Sequence, residues 1–574
     1  MYIESIPNRS SPPAILLRES VREGDKVHKR TLANLSDWPP QKIAALKRVL
    51  RGEGVAADPA KALVITRTLP HGHVAAVLGT IHRLGLDSLL ASRRCRRRDL
   101  VLAMVAARIL FPTSKLDTVQ RWSSCTLAEE LAVGDADEDE LYAALDWLLE
   151  RQPAVEAKLA RRHLKDGASV LYDLSSSYYY GAHCPLAKFG HDRDGKKGLP
   201  VIVYGVLANG AGYPVAAGVY AGNTSDPRTV LDQVGKLRER FDVGRVVLVG
   251  DRGSVTSTNV EKLKACPDVG WIGALRTEAI RTLVEAKLIQ PSLFDQQNLA
   301  EISSPDYPGE RLVACFNPLL AEQRPTKRQE LLAATEKELA RLEAEVKRRT
   351  NTPLTANQIA LKAGKRVNKY KMAKHFDLTI ADNRFAYARR SAHIEAETRL
   401  DGIYVVRTSE TAEALPAPDV VRGYKSLSHV ERAFRCLKGV DLKVRPIWLR
   451  TEDHVKAHVL LCVLAYYVEW HMRAALAELL YADEELTATR ATRNPVMPPR
   501  TSPSAAAKKA THVTISGFPA QSFASLLGDL ATLARNRCAM RDDAQGTSFT
   551  LHTDPTPLQC RAMQLLGLYP VTRK

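Results

Sequence analysis

From about residue 166 the chain changes character, and that change restricts the fold more than any other feature. Ala168–Tyr172 is a short apolar run ending at Asp173, Leu199–Leu207 is a second and Tyr213–Tyr220 a third. Asn209-Gly210, a strong hairpin signal, separates the last two. Asp226-Pro227 then opens a helix, with Asp as N-cap and Pro at the first helical position. Val230, Val234 and Leu237 share one face of it, up to about Phe241. Arg245–Val249 reads as a buried strand ending at Gly250-Asp251, Thr258 and Glu261 have capping-box spacing, and Val269–Ala274 is a fifth strand. The order strand, strand, strand, helix, strand, helix, strand predicts an antiparallel meander followed by crossovers. That is a mixed sheet with flanking helices, an α/β fold.

The flanking segments read differently. Residues 1–62 combine two strand-like runs, Ala14–Glu19 and Lys26–Leu35, with a helix opened by Pro39-Pro40. Residues 63–165 read as mainly helical, with Leu141, Leu145 and Leu148 at helical spacing in Glu138–Leu149. Residues 277–401 interrupt the strand–helix alternation. There a charged helix, Arg328–Arg349, repeats Leu332, Leu339 and Val346 every seven residues, and Leu354–Lys374 reads as its basic return helix. Strand signal resumes at Gly402–Arg407, followed by helices near Ser426–Leu437 and Val455–Leu476. The expected division is therefore 1–62, 63–165, a core of 166–276 and 402–480 split by an insertion at 277–401, a linker at 481–515, and a small helical region at 516–574.

Charge adds a partner class. Lys+Arg number 82 and Asp+Glu 64, a net charge of +18, which suits a polyanionic partner or simply a basic enzyme. Arg93, Arg94, Arg96, Arg97 and Arg98 form either a phosphate-binding surface, with Arg96 and Arg97 as candidates, or a solvated helix start. Nine Cys without any C-x-x-C pair argue against a disulfide scaffold or a zinc ribbon and favour a reducing compartment. Val459–Val468 is too short an apolar run to span a bilayer, and Met1–Ser5 opens no signal peptide. Gly190–Lys197 nearly fits the phosphate-cradling loop, but Lys197 replaces the Ser/Thr and a strand follows, so it reads as a charged hairpin tip.

Three acids carry the chemistry. Asp173 and Asp251 stand at the ends of apolar strands, where a desolvated carboxylate is costly and where open sheets bind ligands. Glu431 lies midway between Tyr424 and Lys438, seven residues from each, a spacing of about two turns that puts all three on one helical stripe. Leu427 and Arg435 flank it at four residues. Three carboxylates from separate segments would suit Mg²⁺, which prefers hard oxygen ligands. Two such ions about 4 Å apart serve an in-line displacement at phosphorus, with Tyr424 and Lys438 then on the phosphate backbone. The alternative, taken one acid at a time, is a helix cap or a surface ion pair.

At these residues the chain resembles the DDE-type transposases of bacterial insertion sequences, in the group with a Tyr–Arg–Glu–Lys signature around the third acid. Leu171-Tyr172-Asp173 with Ser175–Tyr178 resembles the first-acid block. Cys184–Gly190 and Gly222-Asn223-Thr224 resemble the segments that follow. Asp251-Arg252-Gly253 is similar to the second block, and Tyr424–Leu427 through Glu431 to Lys438 to the third. Leu427 stands where the signature has Arg, with Arg432 or Arg435 as substitutes, or the subgroup does without one. The resemblance implies a ribonuclease-H-like catalytic core split by an insertion domain, a mainly helical N-terminal DNA-binding region and a small helical C-terminal region. It implies Asp173, Asp251 and Glu431 as catalytic ligands of two Mg²⁺ ions, with Mn²⁺ as substitute. Tyr424, Lys438, Arg435, Arg252, Arg96 and Arg97 become expected DNA contacts. The implied partners are double-stranded DNA, both the element's terminal inverted repeats and a target, and a second copy of the chain on that DNA. No membrane is implied, and the implied compartment is the bacterial cytoplasm, at the nucleoid when DNA is bound. The alternatives are a metal-dependent nuclease without strand transfer and a catalytically silent DNA-binding derivative.

Overall fold

The computed structural model describes residues 1–8, 12–23, 26–52, 63–196, 198–241, 243–266, 268–490, 492–540 and 548–568. Lys197 of the rejected loop motif lies outside them, as do parts of the expected linker and C-terminal region. The chain divides into two compact units, Met1–Gly72 with Ala531–Pro555, and His73–Leu530 with Thr556–Lys574.

In the first unit β1 (Tyr2–Ile6), β2 (Ala14–Glu23) and β3 (Lys26–Asn34) form an antiparallel sheet. The Pro39-Pro40 pair starts α1 (Pro40–Leu50), with Pro40 at the first turn, where a missing N–H costs nothing. β4 (Leu63–Pro70) pairs with the strand Ala534–Met540, which in turn pairs with Ser548–His552. The C-terminal region, which the sequence reads as helical, thus also contains strands. Ala534–Met540 carries no alternation of β-branched residues. It is a strand because β4, far away in the chain, supplies its partner.

The second unit begins with helices α2 (Gly72–Arg83), α3 (Leu86–Leu90), α4 (Arg96–Leu110), α5 (Lys115–Gln120), α6 (Leu127–Leu131) and α7 (Glu138–His163). The sheet elements follow: β5 (Ala168–Tyr178), β6 (Val201–Asn209), β7 (Pro214–Ala221), α8 (Asp226–Glu239), β8 (Val246–Val249), α9 (Ser257–Lys264) and β9 (Val269–Ala274). β5, β6 and β7 form an antiparallel meander, whereas β5–β8 and β8–β9 are parallel. Two caps differ from the sequence reading. Ser225 precedes α8, so Asp226 already lies inside the helix and its carboxylate serves elsewhere. Thr256, not Thr258, caps α9, its side chain accepting from the Asn259 N–H.

Residues 277–401 contribute α10 (Thr277–Glu285), β10 (Leu299–Ile302), β11 (Arg311–Phe316), α11 (Pro318–Arg348), α12 (Ala356–Asn368), β12 (Phe376–Ala381), β13 (Arg384–Arg389) and α13 (Ser391–Thr398). The heptad residues Leu332, Leu339 and Val346 are buried within this segment, in one cluster with Ile359, Ala363 and Val367 of α12. The basic face of α12 is largely engaged: Lys362 and Arg366 pair with Glu345, and Lys369 with Glu338. After it come β14 (Ile403–Thr408), α14 (Ala417–Lys425), α15 (Leu427–Lys438) and α16 (Glu452–Ala475). β14 pairs antiparallel with β9, and β11 and β10 extend it, giving an eight-stranded mixed sheet in the order β10-β11-β14-β9-β8-β5-β6-β7. The apolar middle of α16 is buried against α4, α7 and β7. Among the described residues no helix is long and apolar enough to cross a membrane.

Candidate active site

The site is built on a length mismatch between two paired strands. β5 has 11 residues and β8 only 4. Their parallel pairing runs from Ala168↔Val246 to Leu171↔Val249 and then stops, because the chain leaves the sheet at Gly250. β5 continues to Tyr178 on β6 alone, with Asp173 opposite Val206. Asp173 is therefore mid-strand, not at a strand end as expected from its sequence. It sits beyond the last β8 pair, and the register carried on by two residues sets it level with Asp251. The same notch exists either way, because one neighbour has departed.

The edge that β8 leaves bare is taken by the 190–195 loop. The Ser176 hydroxyl donates to the His191 carbonyl at 3.0 Å, the Arg193 N–H donates to that hydroxyl at 3.2 Å, and the Tyr178 N–H donates to Asp194 Oδ2 at 3.3 Å. Entry to this loop needs glycine, since a Cβ on Gly190 would collide with the Gly222 carbonyl. Close backbone packing thus accounts for the Cys184–Gly190 and Gly222-Asn223-Thr224 segments. The stretch that reads as a hairpin tip is folded into the site.

Each acid is held differently. Asp173 Oδ1 accepts from the Leu174 N–H at 2.8 Å. Asp251 Oδ1 accepts from the N–H groups of Gly253 at 3.0 Å and Ser254 at 2.8 Å, which fixes the turn after β8. Glu431 is exposed on α15, which packs on β5. Burial pushes the Asp173 carboxyl up to about 7; the Leu174 N–H and Arg193 oppose the rise, and the charges of Asp251 and Glu431 add to it. The charges of Asp251 and Glu431 thus both reach the Asp173 carboxyl.

A fourth acid faces them. Arg193 Nη2 donates to both carboxylate oxygens of Asp226, at 2.7 and 2.8 Å. A Cβ placed on Gly253 would stand 3.2 Å from Asp226 Oδ2 and 3.4 Å from Asp251 Oδ1, so the two carboxylates flank that glycine. Sequence reasoning read Asp226 as a helix cap and Arg193 as part of a loop tip. The available signal was position: Asp226 follows directly on Gly222-Asn223-Thr224.

Tyr424, Glu431 and Lys438 do not share one helix. Ser426, at φ −66° and ψ −16°, ends α14 and begins α15. Tyr424 still reaches the site: burial pushes its hydroxyl up, Arg252 opposes that, and Asp251 and Glu431 reinforce it. Lys438 is not open to solvent. Its Nζ lies 2.8 Å from Asp194 Oδ1, the same oxygen that Arg445 reaches at 2.7 Å, and Asp194 is 2% exposed. Arg435 is exposed and lines a groove of about 930 Å³ with Arg432, Tyr466, Trp470 and Arg473. Arg96 is clasped by Asp135 at 2.9 Å and Glu140 at 3.1 Å, while Arg94 and Arg98 pair with Asp99. Arg97 is exposed and, like Arg93, makes no ion pair among the described residues.

Sequence reasoning also missed an aromatic shelf at the end of β5. Tyr180 stacks on Trp448 at 5.3 Å and 29°, and Tyr178 meets Tyr180 edge-on at 4.9 Å. Lys196 sits 4.2 Å above Tyr178, and Arg445 lies 5.4 Å from the same ring. Trp448 is 62% exposed, a large apolar surface for water to meet.

The predicted acids supply only hard oxygen donors, which suit a divalent cation. Among the described residues one group of potential ligand atoms lies within 4.8 Å of one another, and it comes from Cys436, Asp441 and Glu469 rather than from the three predicted acids. Arg473 already compensates that set, at 2.6 Å from Glu469 and 3.1 Å from Asp441.

Comparison with known proteins gives the family. The profile of the IS1634 family transposase N-terminal domain matches residues 3–60, and that of the transposase DDE domain matches residues 185–468. The chain belongs to the insertion-sequence DDE transposases. The DDE match in this transposase takes in Asp251, Tyr424, Glu431 and Lys438 and starts downstream of Asp173. The domain is that of a metal-dependent DNA-cutting enzyme. No curated protein matches the chain in sequence. Among solved structures, the piggyBac transposase synaptic complex with hairpin DNA aligns over 69% of this chain and 72% of its own, at 11% identity and a TM-score of 0.32.

Proposed function

We propose that this transposase cuts DNA at the ends of its own insertion sequence and joins those ends to target DNA. On this reading, strands β5 to β9 form a ribonuclease-H-like core, and Asp173, Asp251 and Glu431 hold two Mg²⁺ ions. When bound, the ions supply Lewis-acid stabilisation to the attacking and leaving oxygens of an in-line displacement at phosphorus. The observation that carries the reading is the meeting of three segments at Asp173: its own burial raises that carboxyl most, and the charges of Asp251 and Glu431 add to the rise. A cation among the three would relieve both effects.

The remaining roles follow from what each side chain touches. Arg193, by holding Asp226 beside Asp251, keeps the fourth carboxylate in a fixed place. Arg252 and the Tyr424 hydroxyl lie together near Asp251 and would orient the scissile phosphate. Asp194 holds Lys438 and Arg445 together, leaving one net positive charge beside the site. The Tyr180–Trp448 shelf, flanked by Lys196, suits the face of an unpaired base next to a phosphate. Arg93 and Arg97 are the cations of the N-terminal arginine run placed to meet DNA. A dimer on DNA would bring two element ends together.

The test is single replacement of Asp173, Asp251 or Glu431 by Ala. Each variant should lose Mg²⁺-dependent cleavage while retaining binding to element ends; cleavage surviving in the Asp251 variant would remove that assignment. A strand-transfer assay with a pre-cut end separates a transposase from a nuclease, which yields no joined product. Calorimetry showing no Mg²⁺ or Mn²⁺ binding, with and without DNA, would favour the silent DNA-binding derivative.

A further inference from the structure

Arg108 on α4 and Lys115 on α5 are 6% and 5% exposed. Both line a cavity of about 10 Å³ together with Met104, Thr113, Thr118 and Leu461. That space holds one small particle and excludes a phosphate or carboxylate. Lys115 Nζ lies 2.9 Å from His458 Nδ1 of α16, and His458 Nε2 lies 3.1 Å from the Val444 carbonyl. The carbonyl requires the ring proton on Nε2, so Nδ1 accepts from Lys115. Two ammonium protons remain. Arg108 makes no hydrogen bond and no ion pair among the described residues, and its Nε is fully buried.

Buried charges are ordinarily paired. Here burial, and then the charge of Arg108, lower Lys115 to about 7 with Cys462 opposing, and burial lowers His458 with Lys115 and Arg108 adding to it; no carboxylate is among these charges. In its ammonium form Lys115, like Arg108, only donates, so two donor side chains face one void. Water would fill it but would bring two protons of its own, whereas an anion only accepts. We infer that Arg108 and Lys115 form a binding site for a single halide-sized anion, chloride in solution, which ties α4 and α5 to α16.

The test uses the full chain without DNA, at constant ionic strength, with sodium gluconate replaced stepwise by sodium chloride. The melting temperature should rise and saturate with chloride, and bromide should act likewise. Arg108→Leu and Lys115→Met should remove the rise, while Lys327→Ala, on an exposed pair far along α11, should keep it. A flat, falling or non-saturating response in the wild type overturns the site. Should Arg108→Leu not fold, wild-type crystals grown in bromide decide: an anomalous peak between Arg108 and Lys115 supports it, and clear data without one reject it.

Discussion

Asp173 is partly buried on a strand, feels the charges of two other acids, and has Arg193 as its opposing cation. Asp173→Asn should therefore leave the metal-free protein at least as thermostable as the wild type while cleavage disappears; a melting point several degrees lower would contradict the repulsion. Arg193→Ala should lower metal affinity and cleavage by about 10–100-fold, as loss of a group that orients ligands generally does, with duplex binding little changed. Asp194→Ala should cost about 3–5 kcal/mol in urea unfolding, because two cations lose their shared buried partner. Asp173 and Asp251 stand out in the sequence because a carboxylate ending an apolar run is chemically out of place, and Glu431 through its seven-residue spacing from Tyr424 and Lys438. Arg193, Asp194 and Asp226 do not. Their role depends on where a loop docks, and only the strand edge bared by β8 decides that.

At the scale of elements, periodicity indicated the meander, the crossovers and the heptad seam, since each pattern is local. It did not indicate how far β5 runs past β8, since strand length there is set by when a neighbour departs. The Ser426 break was equally hidden, because its backbone angles stay near helical. Leu339 is fully buried in the seam with α12, so Leu339→Ala should cost roughly 2–5 kcal/mol without altering the strands that carry the acids. The shelf gives a sharper test. Trp448→Ala should weaken binding of DNA with an unpaired end by about 1–3 kcal/mol and leave fully paired DNA unaffected, as measured by competition binding; an equal loss on both would assign Trp448 to general contact.

For the whole molecule, acid sensitivity follows from half-buried histidines. Burial holds His163 and His471 at about 4, where Tyr213 stacks between α7 and α16. An unfolded histidine titrates near 6.5, so between these values the unfolded chain binds more protons. Stability should be intact above about pH 6.5 and fall progressively toward pH 4, with His471→Gln flattening the slope of the urea midpoint against pH. DNA binding by a chain of net charge +18 should weaken steeply with salt through counterion release.

The sheet passes without interruption from β9 through β14 to β11 and β10, and two of those strands come from residues 277–401. Deleting that segment would strip the hydrogen bonds of β14's far side and leave a raw, sticky border one strand from β9. A minimal enzyme trimmed of it should aggregate, and a pull on the α11–α12 hairpin would be transmitted along the ladder to the strand that precedes Tyr424.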